Sequence, residues 1–552
     1  MDPLINNNLF LNSIEKSKYT FSSFFSNIEL NKLSLTCSWL NNIVKEIPCN
    51  DSKSAVKGTI LSFVTKFPQA KAIRIHKKNI ITPDDFMNLI KLKNLHTLDI
   101  KNNKSNISSD VFNYVINDLK NLKNLNVSNC RFITTNYIIH FNKLDFLSLK
   151  GLEFDEKSLD TKYISNIKKI IFGCNKFTDE YLSKLTGVED LDISVCYECK
   201  QKTIKGTCFE KMKNLRKLNI GNCYGIEPTS FKFLNKIEVL ECDFDDTFAN
   251  YTALKITDDC IHHLKNVKIL NVFNQRKLTD DALKNLKNIQ DLTISLCNKM
   301  TNNAMQYLKG IKRLTIAGLK KIDGSTFHHI SGIEELYANS CKSLTDENFI
   351  HLKGIKKLYI SKCNNLTDEV FKHLSGIDKL EINNNVNITG KNFNYIDNIR
   401  SLHLKDCCKI KKEYIQNLKA TELNLEDCLQ INNNFLEYMP QVDYLNISGT
   451  NTNRKGIEKI KNIPNLKIGS SKLNSVNLNL QNIKTLHIYF SYNPDFDKES
   501  FKFLPKVEKL LITGWDVKKK DIFSTIVEKP NIFLVEDEVY DEDNILYYNL
   551  II

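Results

Sequence analysis

The chain repeats itself every 22 residues. From Ile289, five segments align without a gap: IQDLTISLCNKMTNNAMQYLKG, IKRLTIAGLKKIDGSTFHHISG, IEELYANSCKSLTDENFIHLKG, IKKLYISKCNNLTDEVFKHLSG and IDKLEINNNVNITGKNFNYIDN, and Ile399 opens the next. Less regular copies run back to about Ile73 and on to about Ile532, which makes about 20 units. A unit this short cannot bury its own apolar side, whereas stacked units share one continuous core. Length alone would suggest three to five domains, at about 100–200 residues each. The period replaces that expectation with one long array.

Each unit reads Leu-x-x-Leu-x-Ile-x-x-Cys or Asn, then an apolar residue, Thr-Asp, and a stretch of helical spacing ending in Leu. Alternation in Leu-x-Ile predicts a short strand with one buried and one open face. Thr279, Thr345 and Thr367 are expected to cap free N–H groups, and Asp280, Asp346 and Asp368 to favour the positive helix end. Apolar residues such as Ala282, Leu283 and Leu286 then face the core. One strand and one helix per 20–29 residues resembles the leucine-rich repeat, and the Cys position resembles its cysteine-containing subclass. The resemblance covers roughly residues 70–535. It implies an α/β solenoid, a horseshoe with a parallel sheet on the concave side and helices on the convex side. Cys130, Cys196, Cys223, Cys297, Cys341, Cys363, Cys407 and Cys428 then turn the chain after the strand, with Asn103 and Asn385 in equivalent places. Asn there satisfies buried backbone groups, and Cys is a small apolar filler with a weak donor. About half of the 16 cysteines are thereby explained as packing, so a disulfide framework is not expected.

Composition agrees with a folded chain: 42% hydrophobic and 26% charged residues, with only 18 Gly and 10 Pro. Its weight of Lys, Asn and Ile suggests an AT-rich genome, as in protists or large DNA viruses. The net charge is +13, although EDEVYDED at 536–543 is strongly acidic. The lysines recur around the turns with few aromatics between them, so no nucleic-acid partner is expected. No signal peptide and no run of about 18 apolar residues is visible, so no membrane partner is expected either, and a reducing compartment is.

Departures from the period mark candidate binding loops. Ile193 and Ile220 are 27 apart, Cys242 and Val272 are 30 apart, and Ile100 and Val127 are 27 apart. The first interval holds Cys196, Cys199 and Cys208, with Cys223 following, a possible thiol set for zinc. The ladder and helix core account for most of these cysteines, so packing is the expectation. His329, His351 and His373 form a column expected near helix C-termini. No phosphate loop, H-E-x-x-H or G-x-S-x-G pattern occurs, so no catalysis and no cofactor is expected.

Residues 1–50 do not follow the repeat. Phe25-Ser26, Glu29-Leu30, Leu33-Ser34, Thr36-Cys37 and Trp39 resemble the second half of the F-box, although Asp2-Pro3-Leu4 stands where that family opens with Leu-Pro. The same segment also suits the amphipathic cap that a solenoid needs. The F-box resemblance implies a substrate-recognition subunit of an SCF-type (cullin–RING) ubiquitin ligase, with the adaptor protein and cullin as partners. Phe25, Leu30, Leu33, Leu35, Trp39, Leu40 and Ile43 would dock the adaptor, helix on helix. Residues 51–70 would be a linker or N-terminal cap, 71–535 the repeats and 536–552 an acidic, apolar C-terminal cap.

An unknown protein target would lie on the open strand positions: Phe273, Thr293, Thr315, Tyr337, Tyr359, Glu381, His403, Lys405, Glu426, His487 and Tyr489. The stretch from Tyr337 to Glu426 is the favoured part, because exposed aromatics are frequent anchors. Ubiquitin transfer would belong to partner subunits in the cytoplasm or nucleus. The alternative is a repeat scaffold or decoy without a ligase role.

Overall fold

The computed structural model describes residues 55–514, apart from 57, 78, 134–142, 153, 155, 158, 174–176, 196–202, 244–255, 461–462, 470–482 and 491–508. The head expected over 1–50 and the cap expected over 536–552 lie outside these residues.

The chain forms two units: Met1–Lys277 with Asn285–Asn288, and Leu278–Lys284 with Ile289–Ile552. In the first, strands follow one another as β1 (Ala55–Val56), β2 (Ala72–Ile75), β3 (Thr97–Asp99), β4 (Asn124–Asn126) and β5 (Phe146–Ser148). They continue as β6 (Lys169–Ile171), β7 (Asp190–Asp192), β8 (Lys217–Asn219), β9 (Val239–Glu241) and β10 (Ile269–Asn271). Each pairs in parallel with the next. The second unit runs through β11 (Asp291–Thr293), β12 (Arg313–Thr315), β13 (Glu335–Tyr337), β14 (Lys357–Tyr359), β15 (Lys379–Glu381) and β16 (Ile399–His403). It continues through β17 (Ala420–Asn424), β18 (Tyr444–Asn446), β19 (Asn465–Gly469), β20 (Thr485–Phe490) and β21 (Lys509–Gly514), again parallel in chain order.

The register follows the period. Leu292, Leu314, Leu336, Leu358, Leu380, Leu402, Leu423 and Leu445 stand side by side and are all buried. Behind them runs a column of phenylalanines spaced by one repeat: Phe327, Phe349, Phe371 and Phe393, also buried. Phe327 meets Phe349 edge-on at 6.2 Å, and Phe371 meets Phe393 at 5.1 Å and 67°. Shared burial of such columns is what holds neighbouring repeats together.

The helical stretches are shorter and tighter than the spacing suggested. In the second unit Asp280–Leu283, Asn302–Tyr307, Phe327–Ile330, Asp346–Leu352, Asp368–His373 and Phe393–Ile396 are all 3-10 turns. The 3-10 form rises about 2.0 Å per residue against 1.5 Å for the α-helix, so it spans the repeat with fewer residues. The longer interval before β4 has room for a ten-residue α-helix, Ser109–Asp118.

The Thr-Asp step does more than start a helix. Thr279 and Thr367 do accept a backbone N–H, whereas Thr345 makes no such cap bond. The aspartates reach to the next repeat. Asp346 accepts from the Thr367 backbone N–H at 2.9 Å and hydroxyl at 2.7 Å. Asp280 clasps Thr301, and Asp368 clasps Thr389, in the same two-pronged way.

The cysteine ladder is a hydrogen-bonded one. Cys341, Cys363, Cys407 and Cys428 donate their thiols to Ile316, Ala338, Ile382 and Leu404 carbonyls of the preceding repeat at 3.1–3.2 Å. Cys130 and Cys223 do the same to Ile100 and Ile193. Asn385, fully buried, serves the equivalent carbonyl of Ile360 at 3.0 Å, and Asn103 is likewise buried. Burial pushes the Cys341, Cys363, Cys407 and Cys428 thiols up to about 12. Thiolate, the reactive form, is therefore suppressed. Among the described cysteines only Cys408 is exposed. Labelling the native chain with a maleimide and mapping the peptides should accordingly tag Cys408 and spare these four until denaturant is added. Equal native labelling of the ladder cysteines would contradict this packing.

Candidate binding face

Open strand positions of the second unit form rows at right angles to the strands. One row runs Thr293, Thr315, Tyr337, Tyr359, Glu381, His403, Asn424. Lys405 and Glu426 belong to a second row, two residues beyond the ends of β16 and β17. The sequence pattern alone does not separate the two rows. Phe273 occupies that further position in the first unit, after β10.

Within the second unit the favoured residues are joined by contacts. The Tyr337 and Tyr359 rings stack at 4.1 Å and 6°. Lys379 Nζ lies 5.2 Å from the Tyr359 ring centre and 3.0 Å from Glu381. His403 Nδ1 sits 3.3 Å from the same carboxylate, and its Nε2 is 3.2 Å from the Ser401 hydroxyl. Lys405 binds Glu426 at 2.6 Å, and Asn446 donates to Glu426 at 2.9 Å. Tyr359 and Glu381 are only 4% and 9% exposed, so they brace the face, while Tyr337 and His403 present more of their surface.

Electrostatics follows from these contacts. Burial raises the Glu381 and Glu426 carboxyls, but bonds from His403 and Lys379, and from Lys405, outweigh it and hold both below the usual range. Burial, then a hydrogen bond with Tyr359, raises the Tyr337 phenol, which stays protonated as a donor. His487 on β20 is pushed down to about 4 by burial and by Lys467, so it is neutral near pH 7. Tyr489 lies two residues further along β20.

A polar chain on the first unit's face is not evident from the sequence. Asp192 accepts from the Ser194 hydroxyl at 2.6 Å, and Asn219 links Asp192 at 3.5 Å to Glu241 at 3.1 Å. Burial raises both carboxyls. Nothing in a single Asp or Glu per repeat distinguishes this chain from ordinary surface charge.

Among the described residues, no three His, Cys, Asp or Glu side chains are placed to hold a metal ion. Cys196 and Cys199, half of the zinc candidate, lie outside them, and Cys223 is engaged with a backbone carbonyl. On the helical side His328 packs on His329 at 4.0 Å and on His351 at 5.6 Å. No described helix is long and apolar enough to cross a membrane. Phe25, Leu30, Leu33, Leu35, Trp39, Leu40 and Ile43 lie outside the described residues.

The sequence matches no protein-family profile and no curated protein. Solved structures do match. A crystal structure of TLR13 in complex with ssRNA13 is similar over 85% of this chain and 82% of that one, with 15% identity and a TM-score of 0.51. A leucine-rich-repeat protein of Leptospira interrogans is similar over 75% of this chain and 99% of that one, with 17% identity and a TM-score of 0.43. Together with the parallel strands and their one-per-repeat register, the first likeness makes this chain an α/β leucine-rich-repeat solenoid.

Proposed function

We propose that the chain is a protein-binding scaffold that recruits a target to an SCF-type ubiquitin ligase. The repeats hold the target, and the head over 1–50 docks the adaptor and through it cullin. The observation that supports target binding is the braced open face from Tyr337 to Glu426, where an aromatic stack adjoins an ordered network of charges. Rigid aromatic side chains in ordered surroundings are the usual anchors of protein interfaces. The head's part rests on its F-box resemblance. In this reading the chain performs no chemistry. It raises the local concentration of target lysines beside the loaded ubiquitin carrier, in the cytoplasm or nucleus.

The test is co-precipitation of the full chain with purified SCF adaptor. The intact chain should retain the adaptor, and Leu33→Asp with Trp39→Ala should lose it by more than about tenfold, as removal of buried anchors does. Absence of binding by the intact chain would leave the repeats as a scaffold or decoy and remove the ligase role.

A further inference from the structure

The aromatic stack on the second unit's face is closed at one end and open at the other. Tyr359 has Tyr337 on one side and the Lys379–Glu381 pair on the other. Tyr337 has Tyr359 on one side, but its register neighbour on the far side is Thr315, followed by Thr293. A threonine is too short to cover a phenol ring, and Tyr337 keeps part of its surface exposed. The next place in the stack, above Thr315, is a slot with one flat aromatic wall and a floor of two threonines.

The charges around the slot restrict what enters it. Arg313, beside Thr315, is drawn to Asp291 at 2.7 Å. Lys357 is held by Glu335 at 2.7 Å, and the Tyr337 hydroxyl lies 3.5 Å from the same Glu335. From Asp291 to Glu426 the open face carries five carboxylates and four Lys or Arg cations, and each cation has a carboxylate partner. A nucleic-acid backbone would have to break these pairs to gain its own, losing the counterion-release advantage that drives such binding. A neutral planar group meets no such cost. Ring pairs at this kind of spacing add attraction beyond area burial.

We propose that the slot above Thr315 receives an aromatic side chain, Trp, Tyr or Phe, presented by a protein partner, and that this ring continues the Tyr359–Tyr337 stack. The assignment rests on the protein-binding reading above and gives that partner a chemical signature.

The experiment selects a random dodecapeptide display library on the full chain and compares clones on Thr315→Trp, which fills the slot from within. Tyr337→Leu, which keeps apolar bulk but removes the flat wall, is the second variant. Thermal unfolding of both variants is recorded as the check on the fold. The expected result is a set of clones sharing one aromatic position, bound about tenfold more weakly by each variant, the size of one good stacking contact. The proposal is overturned if no such clone is enriched, if retained clones bind both variants as well as the parent, or if the variant-sensitive clones lack an aromatic. Binding of a single-stranded oligoribonucleotide that Thr315→Trp abolishes overturns it as well. Adaptor retention by the Thr315→Trp chain is measured in parallel. It reports the head alone, so a failed slot and a failed ligase reading give different results.

Discussion

Phe371→Ala should lower the free energy of unfolding by about 3–5 kcal/mol, the range for emptying a fully buried phenylalanine site. Its ring is completely buried and meets Phe393 at 5.1 Å, one step in a column that also holds Phe327 and Phe349. Little can collapse into the space. Phe371 is part of the Asp368–His373 turn, whose Asp368 is clasped to the next repeat, and the sheet's leucines are buried in the same core. Stability in a stacked array is a sum of repeat and nearest-neighbour terms, so the loss should be local first. Hydrogen exchange should rise most in β14, β15 and their turns and least in β19. Uniform acceleration across the second unit, or a loss below about 1 kcal/mol in denaturant titration, would show that the column is not the tie between repeats.

Asn385→Leu should cost a similar amount, about 2–4 kcal/mol, for a different reason. The Asn385 amide donates to the carbonyls of Ile360, Ile382 and Asn383 at 3.0, 2.9 and 3.1 Å, and its oxygen accepts the Cys363 N–H at 2.8 Å. Leucine fits the volume but leaves these groups buried and unsatisfied. Asn385→Cys is the informative control. The neighbouring repeats already place a thiol here, with its proton on the carbonyl one repeat back. The cysteine variant should therefore recover more than half of the loss measured for leucine. Equal destabilisation by the two would mean that shape, and not the carbonyl contact, governs the position.

Strand positions were legible because a period of 22 fixes both the face and the neighbour of every residue. Leu336, Tyr337 and Cys341 stand where the alignment put them. The helices were less so. Apolar spacing in Ala304, Met305 and Leu308 fits an α-helix or a 3-10 turn, and only the space available decides between them. The Thr-Asp clasp was hidden because a local cap and a bond to the next repeat need the same two residues. A further requirement is legible only in part. Strands β3 to β6, β8 and β10 to β18 each lead into a residue with positive φ, such as Asn129, Asp427, Gly318 and Gly449, but also Leu296, Ser340 and Lys362. Asn, Asp and Gly, which adopt positive φ most readily, fill most of these places, and the three exceptions carry no such mark. At Gly318 a Cβ would stand 2.6 Å from the tip of the Leu296 side chain, which can move aside, so it is the positive φ that favours glycine there. On the binding face, the Tyr337–Tyr359 adjacency followed from the spacing, whereas the Ser401–His403–Glu381 bonds depend on rotamers that no pattern records.

The constancy of the register also bears on how such a chain can change over generations. Leu314, Leu336 and Leu358 occupy the same place in the sheet, so excision of residues 333–354 would seat Leu358 against Leu314 and Tyr359 against Thr315. The new neighbours would meet through the same apolar column, while the stack would shrink from two rings to one. Gain or loss of a whole repeat is therefore a mutation that rewrites the recognition surface in a single step and leaves the grammar of the core unaltered.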